Sequence, residues 1–307
     1  MQQEKTDKKN YSLPVALLLI IASIFVISGS FYSFFFLYVQ FHKSRLHNSK
    51  YQITKIIQTG PRKKAVNSQY LAELMGLSAD RPLNLFIFNE KKGEEKLLQS
   101  PIIRFAKVEK MKPDSLYIDY DIREPLAFLH DYENIAVDQE GYIFPMHPFY
   151  FSQNLPVLYL GLAPFKEEQE NRETGSWNQP LKGPHMLLAL EMLEVFSRKK
   201  FPFEIQRIDV SNAFLSSYGR REIVLFVSEK AVLSTKKNSC LCVFPKVLRL
   251  SPKSYEQQLN NFLILRESML EDYRKQVRVM EITNHTLEFS PQVIDFRIDE
   301  LAFIKES

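Results

Sequence analysis

The sequence predicts an α+β fold in three parts: one N-terminal transmembrane helix, a small domain of order β-α-α-β-β, and a mixed β domain with flanking helices. Three observations lead there. Leu13 to Val39 contains no charged side chain, residues 51–123 alternate strand and helix signals separated by turn residues, and two amphipathic helical stretches interrupt period-two runs beyond residue 125. The 307 residues are 45% apolar and 25% charged, so the chain has the composition of a folded protein. Lys and Arg outnumber Asp and Glu by only 40 to 36 and form no basic stripe, which argues against nucleic acid as a partner.

A helix over Leu13–Val39 would reach roughly 40 Å at about 1.5 Å per residue, enough to cross a bilayer. A buried core helix is disfavoured because such helices are almost never apolar on every face. A cleaved secretory signal is disfavoured because the run is too long and no A-x-A site follows. Phe31, Tyr32, Phe34, Phe35, Phe36, Tyr38 and Phe41 crowd one end, as rings do at a membrane–water interface. The reading is an uncleaved signal anchor over 13–41 behind a cytoplasmic tail of residues 1–12. Lys5, Lys8 and Lys9 before it and Lys43, Arg45, Lys50 and Lys55 after it leave the positive-inside rule undecided. A long C-terminal domain translocates largely regardless of charge, which places the C-terminus outside the cytoplasm.

Beyond a polar juncture, Tyr51–Thr59 reads as a strand closed by Gly60-Pro61. Asn67 is placed to cap a helix with Tyr70, Leu71, Leu74 and Met75 on its apolar face and Gly76 as its stop. A second helix fits Gly93–Gln99. Strands follow at Arg104–Lys110 and Ser115–Arg123, joined by a Lys112-Pro113-Asp114 turn. The second of these alternates Leu116, Ile118, Tyr120 and Ile122 with Tyr117, Asp119, Asp121 and Arg123, so the Asp119 and Asp121 carboxylates read as solvated surface.

Strand, helix, helix, strand, strand directly after a membrane anchor is the order of a POTRA domain, expected over residues 51–124, with the β domain over 125–307. Tyr70 to Leu77, the Arg123-Glu124-Pro125-Leu126-Ala127 junction, the Ala136 to Phe144 hairpin with its Asp138 and Gly141, Leu155 to Leu158 with Gly161, and Ile294 to Arg297 together resemble the FtsQ/DivIB family of bacterial cell-division proteins. The resemblance is good over 13–160, returns at the C-terminus, and is poor through the charged loop 163–180. It implies a non-catalytic, single-pass scaffold of the divisome in the inner (plasma) membrane at the septum. The implied partners are FtsB- and FtsL-like bitopic division proteins, together with membrane lipid.

In the second region Gly183-Pro184 opens a helix lined by Met186, Leu187, Leu190, Met192, Leu193 and Phe196. Strands are expected at Ile205–Val210 and Glu222–Ser228. Ser251 is expected to cap a helix lined by Tyr255, Leu259, Phe262, Leu263, Met269 and Leu270, and Gln276–Ile282 is expected to be a strand turning at Asn284-His285 into Leu287–Phe289. Cys240 and Cys242 sit at i and i+2 on a probable strand, where a disulfide would be strained and core packing is the natural role.

No nucleophile elbow, S-x-x-K or Walker loop is present, and the six histidines lack metal-ligand spacing, so the sequence predicts no enzyme, no cofactor, no metal and no small-molecule substrate. Another POTRA-bearing transport or assembly component, or a membrane-anchored envelope enzyme with a dispersed site, are the alternatives.

The last strand, Val293–Ile304, carries the candidate partner site. Ile294, Phe296 and Ile298 alternate with Asp295, Arg297 and Asp299, and the phase slips after Glu300, which predicts a bulge near Asp299-Glu300. A strand so near the chain end is expected to leave one row of backbone groups unpaired and to accept a partner strand. The candidate contacts are Asp295, Phe296, Arg297, Ile298, Ala302 and Phe303, with Arg297 available for an acidic residue of the partner. Arg123, Glu124 and Pro125 form the candidate junction, with the proline between hydrogen-bonded ladders.

Overall fold

A computed structural model describes residues 13–60, 65–151, 154–162, 179–234, 239–280, 286–298 and 300–306. The expected tail at 1–12, most of the charged loop 163–180 and the expected Asn284-His285 turn lie outside these. The fold is α+β, with one N-terminal helix long and apolar enough to cross a membrane. The chain forms two compact units, one from residues up to Thr59 with Asn67–Lys96 and Lys107–Asp119, the other from Gly60–Val66, Leu97–Ala106 and Tyr120 onward.

In the first unit α1 runs Leu13–His47 without a break. Strand β1, Lys55–Thr59, lies parallel to β3, Ser115–Ile122, which is flanked on its other side by β2, Ile103–Met111. Helix α2, Ser68–Met75, begins where the Asn67 side chain accepts the Gln69 N–H at 2.9 Å and ends at Gly76 with φ +75°. Leu71, Met75, Leu85, Phe88, Val108, Leu116 and Ile118 form the core of this unit.

Helix α3 spans Glu90–Leu98, three residues earlier than the periodicity suggests, because the Asn89 side chain accepts the Lys92 N–H and caps it. Gly93 is therefore inside the helix and not at its start. A Cβ there would lie 2.7 Å from the Phe88 ring, so glycine lets the helix seat on that ring. Strand β1 is shorter than predicted, since Ser49–Tyr51 form a helical turn and Gln52 only bridges to Asn84.

The second unit is a mixed sheet with the order β13-β12-β10-β9-β8-β7-β4-β5-β6. Its strands are β4 Ala127–Leu129, β5 Ile135–Val137, β6 Ile143–Pro145, β7 Val157–Tyr159, β8 Glu204–Asp209, β9 Ile223–Ser234, β10 Ser239–Leu250, β11 Thr286–Glu288, β12 Gln292–Asp295 and β13 Phe303–Glu306. β9 and β10 form a long antiparallel hairpin in continuous register from Ser234↔Ser239 to Ile223↔Leu250. Helix α4, Pro184–Arg198, and helix α5, Tyr255–Val279, bury Met192, Leu193, Leu259, Phe262 and Val277 in the common core. Cys240 and Cys242 are buried free thiols on the core face of β10.

Three expectations for this region differ from the structure. Residues 276–279, expected to start a strand, are the last turn of α5, because Met269, Leu270, Tyr273 and Val277 continue the helical period into the core. The helix is capped at Ser254; Ser251 instead donates its N–H to the Gln258 side chain at 2.8 Å. The expected single strand Val293–Ile304 is instead a reversal: β12 and β13 are antiparallel, with Asp295 opposite Phe303. The phase slip marks a turn, with Glu300 in the left-handed region at φ +63° and the Leu301 N–H donating to the Ile298 carbonyl.

Candidate protein–protein interface

β13 closes the second sheet at one end, and among the described strands none pairs with its outer side. Such a row of N–H and C=O groups is a template for another chain. The turn and the strand expose Ile298 (56%), Leu301, Phe303 (55%) and Ile304. Ala302 is exposed between them. Phe296 is only 3% exposed and its ring meets Phe262 in the core, so it supports the hairpin from behind and cannot itself offer a contact.

Asp295 and Arg297 are occupied by each other. Arg297 Nη2 lies 2.8 Å from Asp295 Oδ2, and its Nη1 lies 3.5 Å from Glu222 Oε2. Arg249 joins the same two carboxylates, at 2.6 Å to Glu222 and 3.2 Å to Asp295. Burial works to raise the Asp295 carboxyl, but the hydrogen bonds and charge of Arg297, with the charge of Arg249, outweigh it and hold the group below the usual carboxylate range. Arg297 is thus not free for a partner's acid; it fixes the bend that follows β12.

Beside this network lies a groove of about 440 Å³ whose lining includes Ala213, Phe214, Tyr218, Pro252, Ile298 and Phe303. Its lining also holds Arg221, Lys253 and Arg297 against one acid, Asp295. The Arg221 guanidinium sits 4.0 Å from the Tyr218 ring centroid and Lys253 Nζ 5.1 Å from it, and neither forms an ion pair with a described carboxylate. Sequence reasoning passed over Phe214, Tyr218, Arg221 and Lys253. The available signal was a run of exposed-type loop residues, Ser211 to Arg221, that nonetheless carries Phe214, Leu215 and Tyr218.

The junction residues form a second, internal cluster. Arg123 is buried, its Nη1 lies 2.7 Å from Asp138 Oδ2, and its guanidinium stacks 3.7 Å from the Tyr142 centroid. Asp138 Oδ1 accepts the Glu140 and Tyr142 N–H groups at 2.9 Å and so shapes the β5–β6 turn, closed by Gly141 at φ +84°. Tyr150 donates its hydroxyl to the Arg123 carbonyl at 2.7 Å, and burial pushes its phenol well above the ordinary value. Pro125 lies between β3 and β4, where no ladder needs its missing N–H. Glu124 and Pro125 line an open pocket of about 310 Å³ with Arg104 and Glu140, which are themselves paired at 2.6 Å. Among the described residues no group of three or more His, Cys, Asp and Glu side chains is disposed to hold a metal.

No protein-family model matches the chain. Over 139 residues it is 30% identical to the cell division protein FtsQ of Bartonella bacilliformis, an alignment that covers 41% of this chain and 44% of that relative. The chain therefore matches less than half the length of the curated relative and is similar to it over that part.

Proposed function

We propose that this chain is a single-pass membrane protein of bacterial cell division that acts as a non-catalytic scaffold at the septum of the inner membrane. In this reading α1 is the signal anchor, the N-terminus is cytoplasmic and both folded units lie outside the cytoplasm. Residues 51–124 serve as a POTRA domain, residues 125–307 as the β domain, and Arg123-Glu124-Pro125 as their junction. The partial likeness to FtsQ supports the cell-division role, and the uniform apolarity of α1 supports the anchor.

The partner site is carried by one observation: β13 is the terminal strand of its sheet and stands next to a groove lined by apolar side chains together with Arg221 and Lys253. A small bitopic partner of the FtsB or FtsL kind would add a strand to β13, with its apolar side chains against Ile298, Ala302 and Phe303 and its acidic ones near Arg221 and Lys253. Asp295, Phe296 and Arg297 contribute by holding the hairpin in shape.

The experiment is a chain ending at Arg297, which keeps β12 and the ion network but lacks β13, alongside full-length Phe303→Asp. Both should keep the far-UV dichroism and melting behaviour of the parent in detergent, yet fail to capture FtsB- and FtsL-like partners or to reach the septum as fluorescent fusions. Full capture by a folded truncation would place the site elsewhere.

A further inference from the structure

The charge-free run of α1 ends near Phe41, but the helix continues to His47, and the loop between α2 and α3 grips that last turn. The Asn84 side-chain amide donates to the Arg45 carbonyl at 3.0 Å and to the Leu46 carbonyl at 2.9 Å. These are two of the carbonyls that a helix C-terminus leaves without an intrahelical donor. The Asn84 side-chain oxygen in turn accepts the Phe86 N–H at 2.9 Å, and the residue is only 6% exposed. Backbone bonds reinforce the grip: the Leu85 N–H donates to Tyr51 and the Ile53 N–H to Leu83, at 2.8 and 2.9 Å. The Tyr51 and Phe86 rings meet edge-on at 5.0 Å, and the Arg45 guanidinium lies 5.8 Å from the Phe86 centroid.

The loop is therefore fastened at the level of Arg45, four residues past Phe41, or about 6 Å further along the helix axis. The headgroup layer on one side of a bilayer is of similar depth, roughly 5–7 Å. The loop exposes Ile87 (58%), next in sequence to a half-buried Phe86 whose ring lies near Arg45. Lys43, Arg45, Lys50 and Arg81 are exposed on the same turn, the segment after it and the loop, with Asp80 the one acid among residues 42–53 and 80–88. An apolar tip within a basic collar matches an anionic bilayer surface.

We propose that the loop 81–88 is a second membrane contact of this protein. Ile87 enters the interfacial layer, the four cations meet anionic headgroups, and Asn84 locks the loop to α1, so the first unit lies on the membrane surface and does not swing from its anchor. This inference rests on the reading of α1 as a spanning helix, and its test separates the two.

The full chain, carrying an environment-sensitive fluorophore on a single introduced cysteine at Ile87 or at Phe31, is reconstituted in vesicles of phosphatidylglycerol and phosphatidylcholine. Headgroup-attached nitroxide lipids should quench the Ile87 site several-fold more than an aqueous quencher does. That preference should fall in pure phosphatidylcholine, and also when Lys43, Arg45, Lys50 and Arg81 are changed to Gln or Asn84→Ala frees the loop. Quenching of Phe31 by acyl-chain nitroxide lipids, with a water-exposed Ile87, overturns the surface contact while leaving the anchor intact. Protection of Ile87 from both quenchers also overturns it, by showing that protein covers the loop. A water-exposed Phe31 overturns the anchor and the contact together.

Discussion

Arg123 and Asp138 form a buried ion pair, Nη1 to Oδ2 at 2.7 Å, that joins the end of β3 to the turn between β5 and β6. The two residues belong to separate sequence motifs, the Arg123-Glu124-Pro125 junction and the Asp138 to Gly141 turn. Each carboxylate oxygen has a separate task, one holding Arg123 and the other accepting the turn's N–H groups.

Breaking this pair from either side leaves a buried charge without its partner. Arg123→Met or Asp138→Ala should each cost about 3–5 kcal/mol in urea unfolding of the detergent-solubilised chain. Asp138→Asn should cost less than Asp138→Ala, since an amide oxygen still accepts the two N–H groups of the turn. Equal losses for the two substitutions would deny the turn its share.

A second buried cluster behaves oppositely at two of its members. Glu229 is held by Arg266, whose Nε reaches both carboxylate oxygens at 3.0 Å, and Arg266 also pairs with Glu267. Lys246 is 2% exposed; its Nζ is 3.6 Å from Glu229 and has no hydrogen-bond partner among the described residues. Its register neighbour on β12, Gln292, likewise leaves its side-chain oxygen unpartnered. Lys246→Met should therefore leave the chain as stable or more stable, by up to about 2 kcal/mol, while Arg266→Met should destabilise it by about 3–5 kcal/mol. Denaturation midpoints of the two variants that move in the same direction would refute this division.

The same lysine gives stability a pH dependence of defined sign. Burial pushes the Lys246 ammonium below its ordinary value of 10.5, although the Glu229 carboxylate draws it upward. Between the folded and unfolded pKa values the unfolded chain binds a proton that the folded chain lacks, so stability rises as pH climbs towards 10.5. From about pH 9 the buried Cys242 thiol, raised from 9.0 to about 11, opposes this, and above about pH 10 the raised phenols of Tyr150 and Tyr255 add to it, because the unfolded chain then loses protons that the folded chain keeps. Unfolding titrations between pH 7 and about pH 9 should show the rising limb in the parent and a flatter one in Lys246→Met.

At α2 the caps can be tested separately. Asn67→Ala removes the acceptor for the Gln69 N–H and should cost about 1 kcal/mol. Gly76→Ala should cost at least as much, since φ is +75° there and a Cβ would come within 2.9 Å of Lys96 Nζ, which donates to the Met75 carbonyl. Hydrogen exchange of the α2 amides should rise in both variants; unchanged protection after Gly76→Ala would mean that the strain is absorbed elsewhere.

Features that depend on near neighbours were legible in the chain. The charge-free run of α1, the Asn67 and Gly76 caps, the Asp138 to Gly141 turn and the amphipathic faces of α4 and α5 are each written within a few residues of where they act. Tertiary structure alone decided what depends on residues far apart in the chain. Nothing local distinguishes Lys246 from a surface lysine except its place on the face of β10 that otherwise holds Cys240, Cys242, Phe244, Leu248 and Leu250. Its burial follows from α5 covering that face. The C-terminal phase slip was legible, but a bulge and a reversal shift the pattern alike. Only the pairing of Phe303 with Asp295, and the capture of Arg297 by Asp295 and Glu222, selects the hairpin and puts β13 at the edge.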